Sequence, residues 1–248
     1  MPKDLFSEQS QAYATYRPVY PQKLFDYILS FVEQKKMAWD CATGNGQAAT
    51  MLADYFEKVE ATDISAAQIE RAAQKNNIHY QVAPAEHTSF PENTFDLITV
   101  AQAYHWIDWR AFYTEATRTA KPDAVVAIWG YNLMTSDDEK LNKIIKHFYF
   151  DITGPHWDAA RKFVDDGYKT VTFDFSPLPS KDFEISLNWS KEAFKGYLSS
   201  WSSVREYIRE NGSNPIHLIE PDLDAMWNDN DVINFRFPIF LKLGRIVK

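Results

Sequence analysis

The first half of the chain alternates between two patterns of apolar and polar residues. Five short segments have the composition of strands, namely KMAWDCA, EKVEATDI, IHYQVA, FDLITVAQA and AVVAIWGY. The fourth is almost continuously apolar, which is typical of a strand buried on both faces of a parallel sheet. Between these segments, apolar residues recur at helical spacing. Strands that alternate with helices predict βαβ units and an α/β fold.

The flanking regions follow different patterns. Before the first strand, PVYPQKLFDYILSFVEQ predicts a helix. After Tyr131, DDEKLNKIIKHFYFDIT and WDAARKFVDD predict two helices, and KDFEISLNW, SKEAFKGYLSSW and VINFRFPIFLKLG predict a strand, a helix and a last strand. Ligands of parallel α/β sheets bind beyond the carboxyl ends of the strands. We expect the mainly helical insertion, residues 132–180, either to form a lid over such a site or only to cover apolar surface of the core.

Composition narrows the class of protein. The chain has 248 residues, of which 45% are hydrophobic, so it is large enough to bury the core of a single domain. The net charge of −8, without a cluster of Lys and Arg, disfavours nucleic acid and anionic membranes as partners. The start MPKDLFSEQ has no apolar signal segment, and no long apolar run follows. We expect a cytoplasmic protein.

Several kinds of catalytic site are disfavoured by the sequence. The single cysteine, Cys41, excludes a disulfide framework and a zinc site built on several cysteines. The six histidines form no H-x-x-H or H-E-x-x-H pattern, so we expect no catalytic metal. No G-x-S-x-G segment is present, so the nucleophile elbow of the hydrolases is missing.

The segment WDCATGNGQAAT carries the strongest local signal. Gly44 and Gly46 follow a strand and open a helix, so a ligand can approach the backbone and the helix N-terminus. Read as G-x-G-x-x-A, the segment fits a dinucleotide site; read as D-x-A-x-G-x-G, it fits a sulfonium nucleoside. Asp40 favours the second interpretation, because a carboxylate would repel a pyrophosphate and attract an ammonium or sulfonium. Asp63, at the end of the second strand, is a candidate partner for a ribose diol.

Four segments in order and spacing resemble the motifs of class I S-adenosylmethionine-dependent methyltransferases: WDCATGNGQ, ATDIS, PAEHTSFPENTFDLITVAQAYHWID and AKPDAVVAIWGYN. A narrower likeness, to the branch that includes trans-aconitate and cantharidin-responsive methyltransferases, is carried by SQAYATYRPVYP, AQAYHWIDW and FKGYLSSWSSVREY. The resemblance implies a doubly wound, mostly parallel sheet of seven strands with the last strand antiparallel. It also implies one methyltransferase domain over residues 1–248, divided into an N-terminal arm and helix (1–35), a cofactor-binding core (36–131), the insertion (132–180) and the final strands and helices (181–248).

By this resemblance, S-adenosyl-L-methionine is the cofactor. The residues that would bind it are Asp40, Ala42, Thr43, Gly44, Asn45, Gly46, Asp63, Ile64, Ala85, Glu86, Ala101, Gln102 and His105. The chain departs from the family at two places. Ala42 stands where glycine is usual, and KPDA replaces the common K-P-G-G turn before the fifth strand.

Methyl transfer from a sulfonium requires alignment and exclusion of water more than acid–base chemistry. His105 is the candidate catalytic base, or else a residue that positions the cofactor. Arg17 is a candidate clamp for a carboxylate. The other expected acceptor contacts are Tyr20, Trp106 and Tyr131, and guesses from position alone add Phe148, His156, Trp157 and a gate formed by Tyr13–Tyr20.

The favoured interpretation is O-methylation of a carboxylate or hydroxyl on a small organic acceptor. Two alternatives stay open from the residues alone. One is a protein that binds S-adenosylmethionine without catalysis, because Ala42 replaces a glycine. The other is an NAD-dependent oxidoreductase, against which Asp40 argues.

Overall fold

A computed structural model describes residues 17–248, and one sheet of nine strands runs through them. The strands are β1 (Met37–Cys41), β2 (Lys58–Asp63), β3 (Ile78–Val82), β4 (Phe95–Ala101), β5 (Ala120–Tyr131), β6 (Thr135–Ser136), β7 (Ser176–Pro177), β8 (Phe183–Ser190) and β9 (Val232–Arg245). The part of the N-terminal arm before Arg17, including Tyr13 of the expected gate, lies outside the described residues.

Strand β9 explains how nine strands make a sheet seven strands wide. Strands β3, β2, β1, β4 and β5 are neighbours in that order and all parallel, whereas β9 pairs antiparallel with β5. The short strand β6 continues β5 along one edge of β9, while β7 and β8 follow each other along the opposite edge. The predicted fold class, a mostly parallel doubly wound sheet with an antiparallel last strand, is confirmed.

The helices are α1 (Gln22–Leu29), α2 (Gln47–Leu52), α3 (Ala66–Ile69), α4 (Trp109–Thr119), α5 (Glu139–Lys146), α6 (Arg161–Asp165), α7 (Lys191–Ser199), α8 (Ser202–Asn211) and α9 (Glu220–Met226). Shorter turns are Tyr104–Trp106, Gly154–His156 and Pro215–Leu218, and His147–Ile152 continues α5 as a π-helix. Among the residues described, none of these helices has the length and apolar character needed to cross a membrane.

Consecutive residues of the central strands pack on opposite faces of the sheet. In β1, Ala38 belongs to the core on the side of α1, whereas Trp39 belongs to the core on the side of α4. The same alternation holds for Leu97 and Ile98 of β4, and all four residues are fully buried. A strand buried on both faces needs apolar residues at every position, which is why the pattern of FDLITVAQA is continuous.

Side-chain caps fix where the helices begin. The Asp108 carboxylate accepts hydrogen bonds from the Arg110 and Ala111 amides at the start of α4. Ser65 caps α3 in the same way, since its hydroxyl accepts the Gln68 N–H. Helices α8 and α9 were not predicted, and they lie between α7 and β9.

Candidate functional site

A cleft of about 390 Å³ lies at the carboxyl ends of the parallel strands. We call it the main cleft. Its walls come from the segments that follow β1 to β5, joined by residues of the N-terminal segment and the insertion. The lining residues are Arg17, Tyr20, Ala42, Thr43, Gly44, Asn45, Gln47, Ala48, Asp63, Ile64, Ser65, Gln68, Ala83, Ala85, Glu86, Ala101, Gln102, Ala103, Trp106, Ile107, Tyr131 and Asp158. These include every predicted site residue except Asp40, Gly46 and His105.

The loop after β1 owes its shape to three residues in the left-handed region. Ala42, Gly44 and Gly46 have φ values of 53°, 58° and 84°. A Cβ at Gly44 would meet no atom within 4 Å, whereas a Cβ at Gly46 would lie 2.2 Å from the Tyr80 hydroxyl. Glycine at 46 is therefore required by the packing of Tyr80, and glycine at 44 keeps the loop backbone open to the main cleft.

The departures from the family pattern fall at strained positions. Ala42 and Asp123 stand where glycine is common, and both have positive φ, 53° and 65°. Aspartate tolerates this conformation better than alanine does. Both residues therefore retain the positive φ of the glycine that they replace. The backbone is more strained at Ala42 than at Asp123.

The Asp63 carboxylate connects the ends of β1 and β2. One oxygen accepts the Gly44 N–H at 2.8 Å, and the other accepts the Ser65 N–H at 2.9 Å. Asp63 also lines the main cleft, so its carboxylate lies at the wall where the ribose contact was predicted.

Asp40 does not face the main cleft, which corrects the sequence-based prediction. It is fully buried and accepts hydrogen bonds from the Thr43 hydroxyl, the Thr99 hydroxyl at 2.7 Å and the Ala49 N–H at 3.0 Å. Burial raises its pKa to about 6, although these hydrogen bonds oppose the shift. Asp40 therefore organises the loop and the first turn of α2. The sequence argument that it meets a ligand's ammonium, and so disfavours NAD, fails.

Gln102 and Tyr131 join the ends of β4 and β5. The Gln102 Oε1 accepts the Tyr131 N–H at 2.7 Å, and its Nε2 donates to the Tyr131 carbonyl at 3.3 Å. Arg17 donates to the Tyr131 hydroxyl at 2.9 Å and to the Ser200 carbonyl at 3.3 Å. Arg17 thus links the N-terminal segment, the central sheet and the end of α7 at one wall of the main cleft.

A side cavity of about 60 Å³ adjoins the main cleft. Arg17, Gln102, Trp106 and Asp158 line both spaces. The residues that line only the side cavity are His105, Trp157, Arg161, Tyr197, Trp201 and Ser202. The side cavity is therefore mostly aromatic, with two guanidinium groups on its walls.

His105 lies in the side cavity, away from the main cleft in which a cofactor contact was predicted. Its Nδ1 is 2.8 Å from the Tyr168 hydroxyl. Burial, and to a smaller degree the charge of Arg161, lowers the pKa of His105 to about 3. The imidazole is neutral at pH 7 and is a weak base.

Sequence reasoning missed several residues of the side cavity. Arg161 is an isolated arginine within the insertion, with no motif to mark it, and Tyr168 contacts His105 from a backbone with φ of 58°. Tyr197 and Trp201 lie in FKGYLSSWSSVREY, so that motif was the available signal. Among the residues guessed from position, Trp157 lines the side cavity.

Two other residues that were predicted from position alone, Phe148 and His156, lie outside both spaces. Phe148 is buried in the core against Trp201, with ring centroids 5.8 Å apart. His156 pairs with Glu210 at 2.9 Å. Neither residue lines the main cleft or the side cavity.

Comparisons with known proteins identify the class. A family model described as a methyltransferase domain matches residues 39–128. A protein of Dictyostelium discoideum described as a methyltransferase is 32% identical over 98% of this chain and 95% of its own length. CRG1 of Saccharomyces cerevisiae, described as an S-adenosylmethionine-dependent methyltransferase, is 24% identical over 84% of this chain and 83% of its own. A type II methyltransferase structure from Anaeromyxobacter dehalogenans is 36% identical, covers 94% of this chain and 99% of its own, and has a TM-score of 0.86.

The chain belongs to the class I S-adenosylmethionine-dependent methyltransferases. The protein is therefore an enzyme with S-adenosyl-L-methionine as its cofactor. The main cleft fits this cofactor, since its volume suits a small ligand and the loop of Gly44 and the Asp63 carboxylate lie at its wall.

The buried carboxylate of Asp40 predicts a distinctive pH dependence. Its folded pKa of about 6 exceeds its ordinary value of 3.8, so the folded state takes up a proton first as the pH falls. The free energy of unfolding of the wild type, minus that of Asp40→Asn, should rise by about 2 kcal/mol between pH 6.5 and pH 4.5. Urea denaturation at the two pH values measures this difference. A difference that does not change with pH would contradict the raised pKa.

The positive φ of Ala42 predicts that replacing it with glycine stabilises the protein. Glycine removes the strain of an L-residue at φ 53°, about 1–2 kcal/mol, and costs about 0.4–1 kcal/mol in chain entropy. Ala42→Gly should therefore raise the free energy of unfolding by up to about 1 kcal/mol in thermal or urea denaturation. The control Ala111→Gly, within α4, should lower it by about 1 kcal/mol. Equal destabilisation by both variants would show that Ala42 is unstrained.

Proposed function

We propose that the enzyme O-methylates the carboxylate of a small organic acid. The observation that carries this proposal is the lining of the side cavity, in which two guanidinium groups, Arg17 and Arg161, accompany a neutral His105. A carboxylate has a pKa of about 4, so it is ionised near neutral pH and needs no base. A hydroxyl acceptor would have to lose its proton, and a histidine with a pKa of about 3 is poorly suited to accept it.

In this proposal the main cleft holds the cofactor. Asp63 accepts hydrogen bonds from the ribose hydroxyls, and the loop of Gly44 and Gly46 holds the methionine end. Ala85 and Glu86 meet the adenine, although one Glu86 oxygen already accepts the Asp108 N–H at 2.9 Å. When bound, S-adenosylmethionine supplies an electrophilic methyl group with a good leaving group on sulfur.

The protein's own residues then align the acceptor and exclude water. Arg17 orients the carboxylate at the boundary of the main cleft and the side cavity, since it lines both. Trp106 shares that position, so its ring is a candidate wall for both the methyl group and the acceptor. The insertion contributes Asp158 and Arg161, which supports its proposed role as a lid.

The narrower likeness in sequence supports an acid as the acceptor. SQAYATYRPVYP contains Arg17, AQAYHWIDW contains Trp106, and FKGYLSSWSSVREY contains Tyr197, and all three residues line the side cavity. The segments that carry the resemblance to trans-aconitate and cantharidin-responsive methyltransferases are thus those that face the proposed acceptor. We further propose a cytoplasmic enzyme, monomeric or homodimeric, that does not act on nucleic acid.

The direct test is transfer of labelled methyl from S-adenosylmethionine to a panel in which each organic acid is matched with its amide and its alcohol. The acids should yield methyl esters, identified by mass spectrometry, and the neutral partners should yield little product. Methylation of the alcohols alone would overturn the proposal. His105→Ala should slow an active acid by less than about tenfold, because no proton is removed.

The ribose role of Asp63 gives a separate prediction. Asp63→Ala should weaken binding of S-adenosylhomocysteine by at least tenfold, about 1.4 kcal/mol, in calorimetric titration. Asp182→Ala, at an exposed acidic position that does not line the main cleft, serves as the control and should leave the affinity unchanged. Unchanged affinity in Asp63→Ala would remove this residue from the ribose site.

A further inference from the structure

The side cavity is too small for a second nucleoside or a large ring system. Its volume of about 60 Å³ is on the order of a few non-hydrogen atoms, which is the size of a carboxylate group. It adjoins the main cleft, because Arg17, Gln102, Trp106 and Asp158 line both spaces. An acceptor could therefore place one small group in the side cavity and the rest of its structure at the boundary with the main cleft.

Arg161 presents an unused part of its guanidinium group in this region. Its hydrogen bonds within residues 17–248 are made by Nε, to the Tyr149 hydroxyl at 2.7 Å and to Asp165 at 3.4 Å. The Tyr149 hydroxyl donates in turn to Asp165 at 2.5 Å. This arrangement fixes the inner edge of the guanidinium, and it leaves the two Nη groups available for a ligand.

Two aromatic rings hold the same guanidinium. The Arg161 Cζ lies 4.6 Å from the ring centroid of Trp157 and 5.4 Å from that of Tyr149. A guanidinium held in place by such contacts loses less entropy when it binds a planar carboxylate with two parallel hydrogen bonds. Arg161 is therefore preorganised for such a group.

Trp157 supplies a second donor beside Arg161. Its indole Nε1–H is buried, and among the described residues it has no hydrogen-bond acceptor. A buried donor without a partner costs free energy, and an acceptor oxygen from a ligand would remove that cost. Trp157 and Arg161 both line the side cavity, so a single anionic group can serve both.

The charges around the side cavity also favour an anion. Arg17 and Arg161 line it, His105 is neutral, and Asp158 is the acidic residue at its border. Asp165 offsets part of the Arg161 charge, but its contact is with Nε at 3.4 Å. A neutral group of the same size would lack the charge that makes hydrogen bonds to the Arg161 guanidinium strong.

We propose that the side cavity is an anion subsite in which Arg161, with the Trp157 N–H, binds a second carboxylate of the acceptor, apart from the one that Arg17 orients for methyl transfer. This inference rests on the proposed function and deepens it, because it makes Arg161 a residue that determines specificity for acids over neutral analogues. The residue belongs to the insertion, so this segment sets the choice of acceptor.

Acetate and acetamide test the subsite before any natural acceptor is known. They have nearly the same size, and only acetate is charged. Each is titrated into protein saturated with S-adenosylhomocysteine at constant ionic strength. Intrinsic fluorescence reports binding, since Trp106, Trp157 and Trp201 line the cavity. Acetate should bind saturably in the millimolar range, equivalent to about 4 kcal/mol, and acetamide should not bind.

The variants assign that binding to Arg161. Arg161→Gln should weaken acetate binding at least tenfold, and Arg161→Lys should weaken it less, because it keeps the charge and loses the planar fork. Lys162→Gln removes the same charge from the exposed neighbouring residue and should have no effect. If Arg161→Gln lowers the melting temperature so much that the protein is unfolded in the assay, acetate binding is compared between Arg161→Lys and Lys162→Gln instead. Weaker binding in Arg161→Lys alone then assigns the site to Arg161.

The outcomes separate the two proposals. Equal binding of acetate and acetamide, or unchanged acetate binding in Arg161→Gln and Arg161→Lys, overturns the anion subsite. Calorimetric titration of S-adenosylhomocysteine is run on all variants and should give the wild-type affinity, because Arg161 lies outside the main cleft. Failure of the wild type to bind S-adenosylhomocysteine would instead count against the proposed function. In that case, titration of acetate into the protein without S-adenosylhomocysteine would still test Arg161.

Discussion

The site depends on one buried carboxylate. Asp40 is the penultimate residue of strand β1, and it accepts hydrogen bonds from the Thr43 hydroxyl of the following loop, the Ala49 amide of α2 and the Thr99 hydroxyl of β4. Desolvation of this group is unfavourable, as its raised pKa shows, and the three donors offset it. Because these donors come from three segments, the carboxylate fixes how the loop, the helix and the neighbouring strand meet. Asp63 then holds the Gly44 amide at the end of β2.

This arrangement separates the two tasks of the site. The loop after β1 and Asp63 form part of the wall of the main cleft, the proposed place of the cofactor. The guanidinium groups and aromatic rings lie at its border and in the side cavity. Transfer of a methyl group from a sulfonium needs a well-placed nucleophile and little proton transfer. The neutral, weakly basic His105 and the preorganised Arg161 suit a nucleophile that arrives already ionised.

The fold and the main cleft were largely predictable from the sequence, because they rest on local and periodic signals. The buried strands, Gly44 and Gly46, and Asp63 each have a recognisable spacing. The direction of Asp40 was not predictable, since a carboxylate at a strand end can face a ligand or its own loop. The donors that decide the matter, Thr99 among them, are distant in sequence.

The side cavity was harder to predict for the same reason. It is assembled from the N-terminal segment, the loop after β4, the insertion and the region after α7, and contacts between such distant segments leave no periodic pattern. His105 was predicted to contact the cofactor, but it lines the side cavity and not the main cleft. Its motif indicates which strand it follows, but not the direction of its side chain. Arg161 had no motif at all, and its stacking on Trp157 is visible only in three dimensions.

The dependence of kcat on pH tests the central claim most directly, which is that the acceptor arrives ionised and needs no base. It is measured from pH 7 to pH 9 with the most active acid, at saturating concentrations of both substrates. A carboxylate with a pKa of about 4 predicts a flat profile over this range. A rise of about tenfold per pH unit would mean that a proton must leave the acceptor before the methyl group arrives, and it would contradict the account.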